Sequence, residues 1–179
     1  MAVSAGGKFK YPTGRAGAEA LGYDSRLVRN SQNELLESFC GVGNPFAIAE
    51  IEPGDQVLDI GCGAGFDLLV ASNLVGENGR VCGIDLTEDM VTRATRNMAL
   101  ASVTNVEIRH VAEEEIPYPD QNFDVVISNG VINLSPRKNA LFSEIFRVLK
   151  PGGRLQFADI IRKKESAESL PPSPEAWAQ

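Results

Sequence analysis

The chain has 179 residues, 17 Lys and Arg against 24 Asp and Glu for a net charge of -7, and 43 % hydrophobic residues. That length suits one domain with a proper core, and no apolar run reaches the roughly 18–20 residues of a membrane span, so no membrane partner is expected. The acidic balance argues against nucleic acid as a partner, and three cysteines without a CxxC pair, with a single histidine, argue against disulfides or a resident metal.

Residues 1–30 are expected to form a loose arm, since Gly6, Gly7, Gly14 and Gly17 crowd its first part and Met1 to Lys10 lacks the apolar core of a secretory signal. The unpaired cysteines fit a reducing cytoplasm, which is the expected location. Asn33 to Phe39 offers a short helix, broken by Gly41-Val42-Gly43-Asn44-Pro45. Gln56 to Ile60 reads as a buried strand that ends in Gly61-Cys62-Gly63-Ala64-Gly65. Phe66 to Val75 has apolar residues at helical spacing, and Arg80 to Ile84 is a second strand closed by Asp85. Thr87 caps a helix with Glu88 and Asp89 in its first turn, where acids suit the helix dipole, running to about Leu100.

Asn105 to Val111 and Phe123 to Ser128 are the third and fourth strands. Ser135-Pro136 predicts an N-cap and first helical position, followed by a helix that buries Leu141, Phe142, Ile145, Val148 and Leu149. Lys150-Pro151-Gly152-Gly153 ends it, and Arg154 to Ile160 is the fifth strand. Strands alternating with helices predict an α/β fold with a mostly parallel sheet. The domain is expected over residues 31–162, and residues 163–179 form a polar, proline-rich tail with Trp177, left open as a truncation.

The chemistry centres on Asp59-Ile60-Gly61-Cys62-Gly63-Ala64-Gly65 with Asp85 at the end of the next strand. Glycines turn the backbone tightly and admit a ligand at the C-terminal edge of the sheet, and Asp85 sits where an acid accepts bonds from two ribose hydroxyls. Such a turn also occurs for structural reasons alone. Two details favour a methyl donor over a dinucleotide. The dinucleotide pattern needs glycine where this chain has Phe66, and Asp59 suits a ligand that is locally cationic. S-adenosylmethionine carries an ammonium and a sulfonium and no phosphate.

The order of this loop, Asp85, Ile116-Pro117-Tyr118-Pro119-Asp120, Phe123 to Asn129 and Leu149-Lys150-Pro151-Gly152-Gly153 resembles class I S-adenosylmethionine-dependent methyltransferases over residues 40–160. Ser128-Asn129-Gly130-Val131-Ile132-Asn133-Leu134-Ser135-Pro136 and Gly63-Ala64-Gly65-Phe66-Asp67 are similar to the arsenite methyltransferase branch. The resemblance implies a Rossmann-like three-layer sandwich with strand order 3-2-1-4-5. The usual C-terminal hairpin strands are expected to be absent from these 179 residues. It also implies a donor whose methionyl part lies over Gly61, Cys62, Gly63, Ala64 and Gly65, with its ribose on Asp85. Its adenine would sit near Leu86, Met90, Ala112 and Glu113, and Asn129 near the transferring methyl. S-adenosylhomocysteine would be the product.

Departures from that branch matter. Its members hold arsenic(III) on cysteines, where this chain has Val42 and Gly130, neither of which offers sulfur to a soft ligand. Cys40 lies two residues early, Cys62 and Cys82 read as packing, and Ala112 replaces an acid found on the adenine in many relatives. His110 lies on the adenine side, misplaced for a general base. Asp67 is either a helix-surface acid or a first-turn acid near the donor's amino end.

The expected function is methyl transfer to a small molecule, with the acceptor, the catalytic residues and the oligomeric state left unassigned. Arsenite methylation through altered thiol ligands and a non-catalytic donor-binding module are the alternatives. A nicotinamide oxidoreductase is disfavoured by Phe66.

Overall fold

A computed structural model describes residues 11–113 and 115–161. The tail expected over 163–179 and the first ten residues lie outside them. Five strands form one parallel sheet in the order β3-β2-β1-β4-β5, as the sequence implied: β1 Gln56–Ile60, β2 Arg80–Asp85, β3 Val106–His110, β4 Phe123–Asn129 and β5 Leu149–Ala158. The three inner strands are near-continuous apolar runs because both faces are covered. Helices α4 (Phe66–Val75) and α5 (Glu88–Leu100) pack on Val57, Val81, Val125 and Ile127. Helix α6 (Lys138–Val148), with Ile116 and Tyr118, packs on Leu58, Ile60, Ile84 and Val126. The chain goes outward from β1 through β2 to β3, then crosses to β4 on the other side. The crevice between the ends of β1 and β4 is where such sheets bind ligands.

The expected loose arm is corrected over its described part. It contains α1 (Gly14–Ala20) and α2 (Ser25–Asn30), followed by α3 (Asn33–Glu37). Asp24 caps α2, its Oδ1 accepting from the backbone N–H of Arg26 at 2.7 Å and of Leu27 at 3.0 Å. Ala18, Tyr23, Val28, Leu35, Leu36 and Phe39 form a cluster against Phe66 and Val70 of α4. Helix α4 is therefore walled on both sides, by the sheet and by these helices. Its apolar residues do not form the single stripe of a surface helix.

Smaller differences have local causes. Ser135 caps a turn instead of a helix, since its Oγ accepts from the backbone N–H of Arg137 at 3.1 Å and α6 begins only at Lys138. Phe142 is half exposed, stacked edge-on against Phe157 with ring centroids 6.4 Å apart. One turn further on, Phe146 is 82 % exposed. Strand β5 starts at Leu149, which pairs with Phe123; the register then shifts so that Arg154 pairs with Val125. The Pro-Gly-Gly stretch is thus an irregularity within the edge strand, and not a boundary before it. Among the described residues, no helix is long and apolar enough to cross a membrane.

Phe123 is buried and meets Tyr118 edge-on at 5.1 Å, beneath α6. Phe123→Ala should cost about 3–5 kcal/mol of stability, seen as a lowered urea midpoint with an unchanged slope.

Candidate active site

At the end of β1 the backbone N–H groups of Gly61 and Cys62 both donate to Ile84 O, at 2.8 and 3.1 Å, which stitches the loop to β2. Gly63 and Gly65 have φ of +52° and +96°, a region that L side chains rarely adopt. A Cβ on Gly63 would meet nothing within 4 Å, so the space above it is open. Gly65 forms the N-cap of α4. Cys62 turns inward over Gly83, whose missing side chain leaves room for its sulfur, and burial pushes the thiol's pKa up. It packs as expected.

Asp59, one residue before the end of the same strand, is 2 % exposed, and its Oδ2 has no hydrogen-bond partner. Burial, reinforced by the nearby charges of Asp67 and Asp85, holds its carboxyl well above the usual carboxylate range. Asp67, in the first turn of α4, is also buried, so its reading as a surface acid falls away. Its Oδ1 accepts from the Tyr23 hydroxyl at 2.8 Å and its Oδ2 from Asn129 Nδ2 at 3.1 Å. Burial pushes its pKa up to about 6, against the pull of those two bonds. Both acids line one pocket with Gly61, Cys62, Gly63, Ala64, Phe66 and Asn129, roofed by Phe39, Cys40 and Gly41.

Asp85 stands beside this pocket. Its Oδ2 accepts from the N–H of Gly63 at 2.9 Å and its Oδ1 from that of Thr87 at 2.8 Å, so one carboxylate joins the glycine loop to the start of α5. Each oxygen has a second lone pair for a ligand hydroxyl. Val111 N donates to Asp85 O at 3.0 Å, which brings Ala112 and Glu113 to the same edge as Leu86 and Met90. Leu86 is 61 % exposed, Met90 is half-buried, and Glu113 forms an exposed ion pair with Arg137 at 2.8 Å. His110 Nε2 lies 3.1 Å from Leu86 O at the surface. The expected residues thus divide into an enclosed pocket around Asp59 and an open ledge around Asp85.

Asn129 is more than a pocket wall. Its Oδ1 accepts from the N–H groups of Val42 and Gly43 at 2.8 and 3.2 Å. The two protons of its Nδ2 are shared among Gly43 O at 2.9 Å, the Tyr23 hydroxyl at 3.0 Å and Asp67 Oδ2 at 3.1 Å. The 41–43 segment, read from sequence as a helix breaker, is fastened to the end of β4 by this side chain. Gly41 is required there, because a Cβ would collide with the Asn129 amide. Val42 in turn sits 3.4 Å from where a Cβ on Gly130 would be. Sequence reasoning missed Tyr23 and Phe39. The cap at Asp24 and the pair Leu35-Leu36 were the signals that could have placed helices around them.

Residues 51–179 match the methyltransferase domain family. The arsenite methyltransferase of Halobacterium salinarum is 39 % identical over 96 % of this chain and 44 % of its own length. The mouse arsenite methyltransferase is 32 % identical over 88 % of this chain, again 44 % of its own length. An arsenic(III) S-adenosylmethionine methyltransferase from Chlamydomonas reinhardtii superposes with a TM-score of 0.68 at 37 % identity, over 83 % of this chain and 49 % of that one. The chain belongs to the class I S-adenosylmethionine-dependent methyltransferases. Within them it is related to the arsenite branch, although it spans less than half the length of these relatives. A demethylmenaquinone methyltransferase of Listeria monocytogenes, 34 % identical over 63 % of this chain and 47 % of its own length, shows that the likeness extends to enzymes named for a different acceptor. The two positions at which the resemblance placed arsenic-binding cysteines, Val42 and Gly130, do meet in the fold, but they meet without sulfur.

The buried acids set a pH dependence of stability. Between about pH 4 and 6 the folded chain holds a proton on Asp67 that the unfolded chain releases, so stability falls as the pH rises through that window. Asp59, whose carboxyl is also raised by burial, adds to the fall. Asp59→Asn should therefore stabilise the ligand-free chain by about 1–3 kcal/mol at pH 8, with the gain shrinking toward pH 4; urea unfolding at both pH values measures it.

Proposed function

We propose that the chain binds S-adenosylmethionine in the pocket between β1 and β4 and transfers its methyl group to a small molecule, working in the cytoplasm. The observation that carries this reading is the buried, unpartnered Oδ2 of Asp59 beside the open space over Gly63. A carboxylate so placed is stabilised by a cation, and the donor's ammonium supplies one without bringing a phosphate to repel it. Bound S-adenosylmethionine supplies a methyl group on a sulfonium, open to in-line displacement by a nucleophile.

Around it the chain's residues bind and orient. Asp59 and Asp67 take the ammonium end, the loop from Gly61 to Gly65 lies along the methionyl part, and Asp85 accepts the ribose hydroxyls with its free lone pairs. The ledge of Leu86, Met90, Ala112 and Glu113 carries the adenine. Asn129 acts through the 41–43 segment, since its amide is already engaged by protein groups. Alignment of this kind contributes on the order of 7–11 kcal/mol in intramolecular reactions, so the site needs no acid–base pair when the acceptor arrives as a thiolate, amine or carbanion.

The acceptor wall is formed where Val42 meets Gly130, with Asn133 Oδ1 buried and unpartnered nearby in sequence. No sulfur there matches a thiolate-bound arsenic, which favours an organic acceptor over arsenite. The net charge of -7 likewise favours a small molecule over nucleic acid. A non-catalytic donor-binding module is the second reading, favoured by the same missing thiols.

Titration calorimetry with S-adenosylhomocysteine should show binding, and Asp85→Ala should weaken it by at least tenfold through loss of both the ribose contacts and the loop anchor. A methyl-transfer screen over thiols, amines, phenols and arsenite separates the two readings. Turnover on an organic acceptor supports the enzyme; binding with no turnover on any acceptor supports the module. Absence of binding at millimolar ligand removes both.

A further inference from the structure

Tyr23 lies between α1 and α2, outside the sheet, and is only 6 % exposed. Its ring is edge-on to Phe39 at 5.3 Å and tilted against Phe66 at 5.2 Å, and its hydroxyl meets Asp67 and Asn129 from behind, two residues that line the pocket. The proton directions there are determined by chemistry. An amide nitrogen only donates, so the phenol cannot give its proton to Asn129 Nδ2, 3.0 Å away, and that proton must go elsewhere. Asp67 Oδ1 receives it at 2.8 Å, with Gly43 O a longer alternative at 3.3 Å.

The surroundings of Asp67 are otherwise acidic or neutral. Asp59 faces it from β1, Cys40 from the segment after α3, and Asp85 stands beyond Asp59 at the end of β2. Among the described residues no Lys or Arg forms an ion pair with Asp59 or Asp67, and neither is left with an interaction beyond those named. The bonds donated by Tyr23 and Asn129 are thus what favours a charged Asp67 in a buried site that otherwise opposes it.

We propose that Tyr23 is a positioning residue of the donor site: its hydroxyl keeps Asp67 ionised and aimed beside Asp59, so that affinity for the donor's ammonium is set from the N-terminal helices. This inference rests on the donor reading above and assigns Asp67 its role within it. The segment from Tyr11 to Gly43 is then a working part of the site, roofing the pocket with Phe39, Cys40 and Gly41 and bracing Asp67 from behind with the phenol.

The test is the pH dependence of S-adenosylhomocysteine binding by the full chain from pH 5 to 8, a ligand that retains the amino group. Affinity should fall on the acid side as Asp67 takes up a proton. Tyr23→Phe keeps the ring between Phe39 and Phe66 and should move that midpoint upward by about one to two pH units, the worth of one hydrogen bond to a charged group. In an Asp67→Asn background, where binding is weaker, the same Tyr23→Phe change should move nothing. An unmoved midpoint in Tyr23→Phe, or an equal shift in the Asp67→Asn background, overturns the proposal. A measurement that needs no variant guards against misfolding. In the unaltered chain, the carbon-13 shift of Tyr23 Cζ should follow the same titration midpoint as the Asp67 carboxyl carbon, and a Cζ shift indifferent to that titration overturns the proposal as well. Failure of the unaltered chain to bind the ligand at any pH is a different result: it removes the donor reading, and this inference with it.

Discussion

A carboxylate buried at the end of the central strand, with one oxygen facing no donor, is an arrangement that folding alone does not favour. Asp59 is held in it because β1 runs between β2 and β4 with helices packed on both faces of the sheet. A second acid, Asp67, is brought to the same pocket by the turn that starts α4. Burial opposes ionising either of them, and the charge of Asp67 further opposes ionising Asp59; a cation between them offsets both effects. The glycine loop, the phenol of Tyr23 and the amide of Asn129 are arranged around that electrostatic tension. It is the kind of local cost that functional sites retain.

The proposed donor residues and the proposed acceptor wall fall on different strands. Asp59 and Asp85 belong to strands that neighbour each other in the sheet, and their surroundings suit what a methyltransferase donor requires. Asn129 belongs to the next strand over and spends its hydrogen bonds on the 41–43 segment. That segment brings Val42 against Gly130, the two positions where the resemblance placed cysteines, and the contact carries no sulfur. Relatives named for arsenite and for demethylmenaquinone are consistent with a donor half that is shared and an acceptor half that varies.

The sheet was legible because each inner strand is an apolar run closed by a glycine or an acid, a pattern that tertiary contacts reinforce. The glycine loop and Asp85 were legible for the same reason, since they use residue types that stand out. The N-terminal helices were not. Gly14 and Gly17 lower helix propensity, and their short helices persist only because Ala18, Val28, Leu35 and Phe39 find α4 to pack on, a partner some forty residues away. Asn129 lines the pocket, yet its hold on the 41–43 segment could not be read from its own neighbours in sequence. A side chain's hydrogen-bond partners depend on which distant backbone arrives beside it, and neither Val42 nor Gly43 advertises that locally. Helix α6 started late because Ser135 found a nearer N–H to accept from.

Helix α4 has oily residues toward both the sheet and the N-terminal helices, with Leu68, Ala71 and Val75 on one side and Phe66 and Val70 on the other. The boundary drawn near residue 30 from composition is consequently no place to cut. Excising the sheet there would leave Phe66 and Val70 facing water where Tyr23 and Val28 had been. A fragment trimmed for crystallisation, or for fusion to another scaffold, would inherit a sticky flank beside the very pocket it was meant to present.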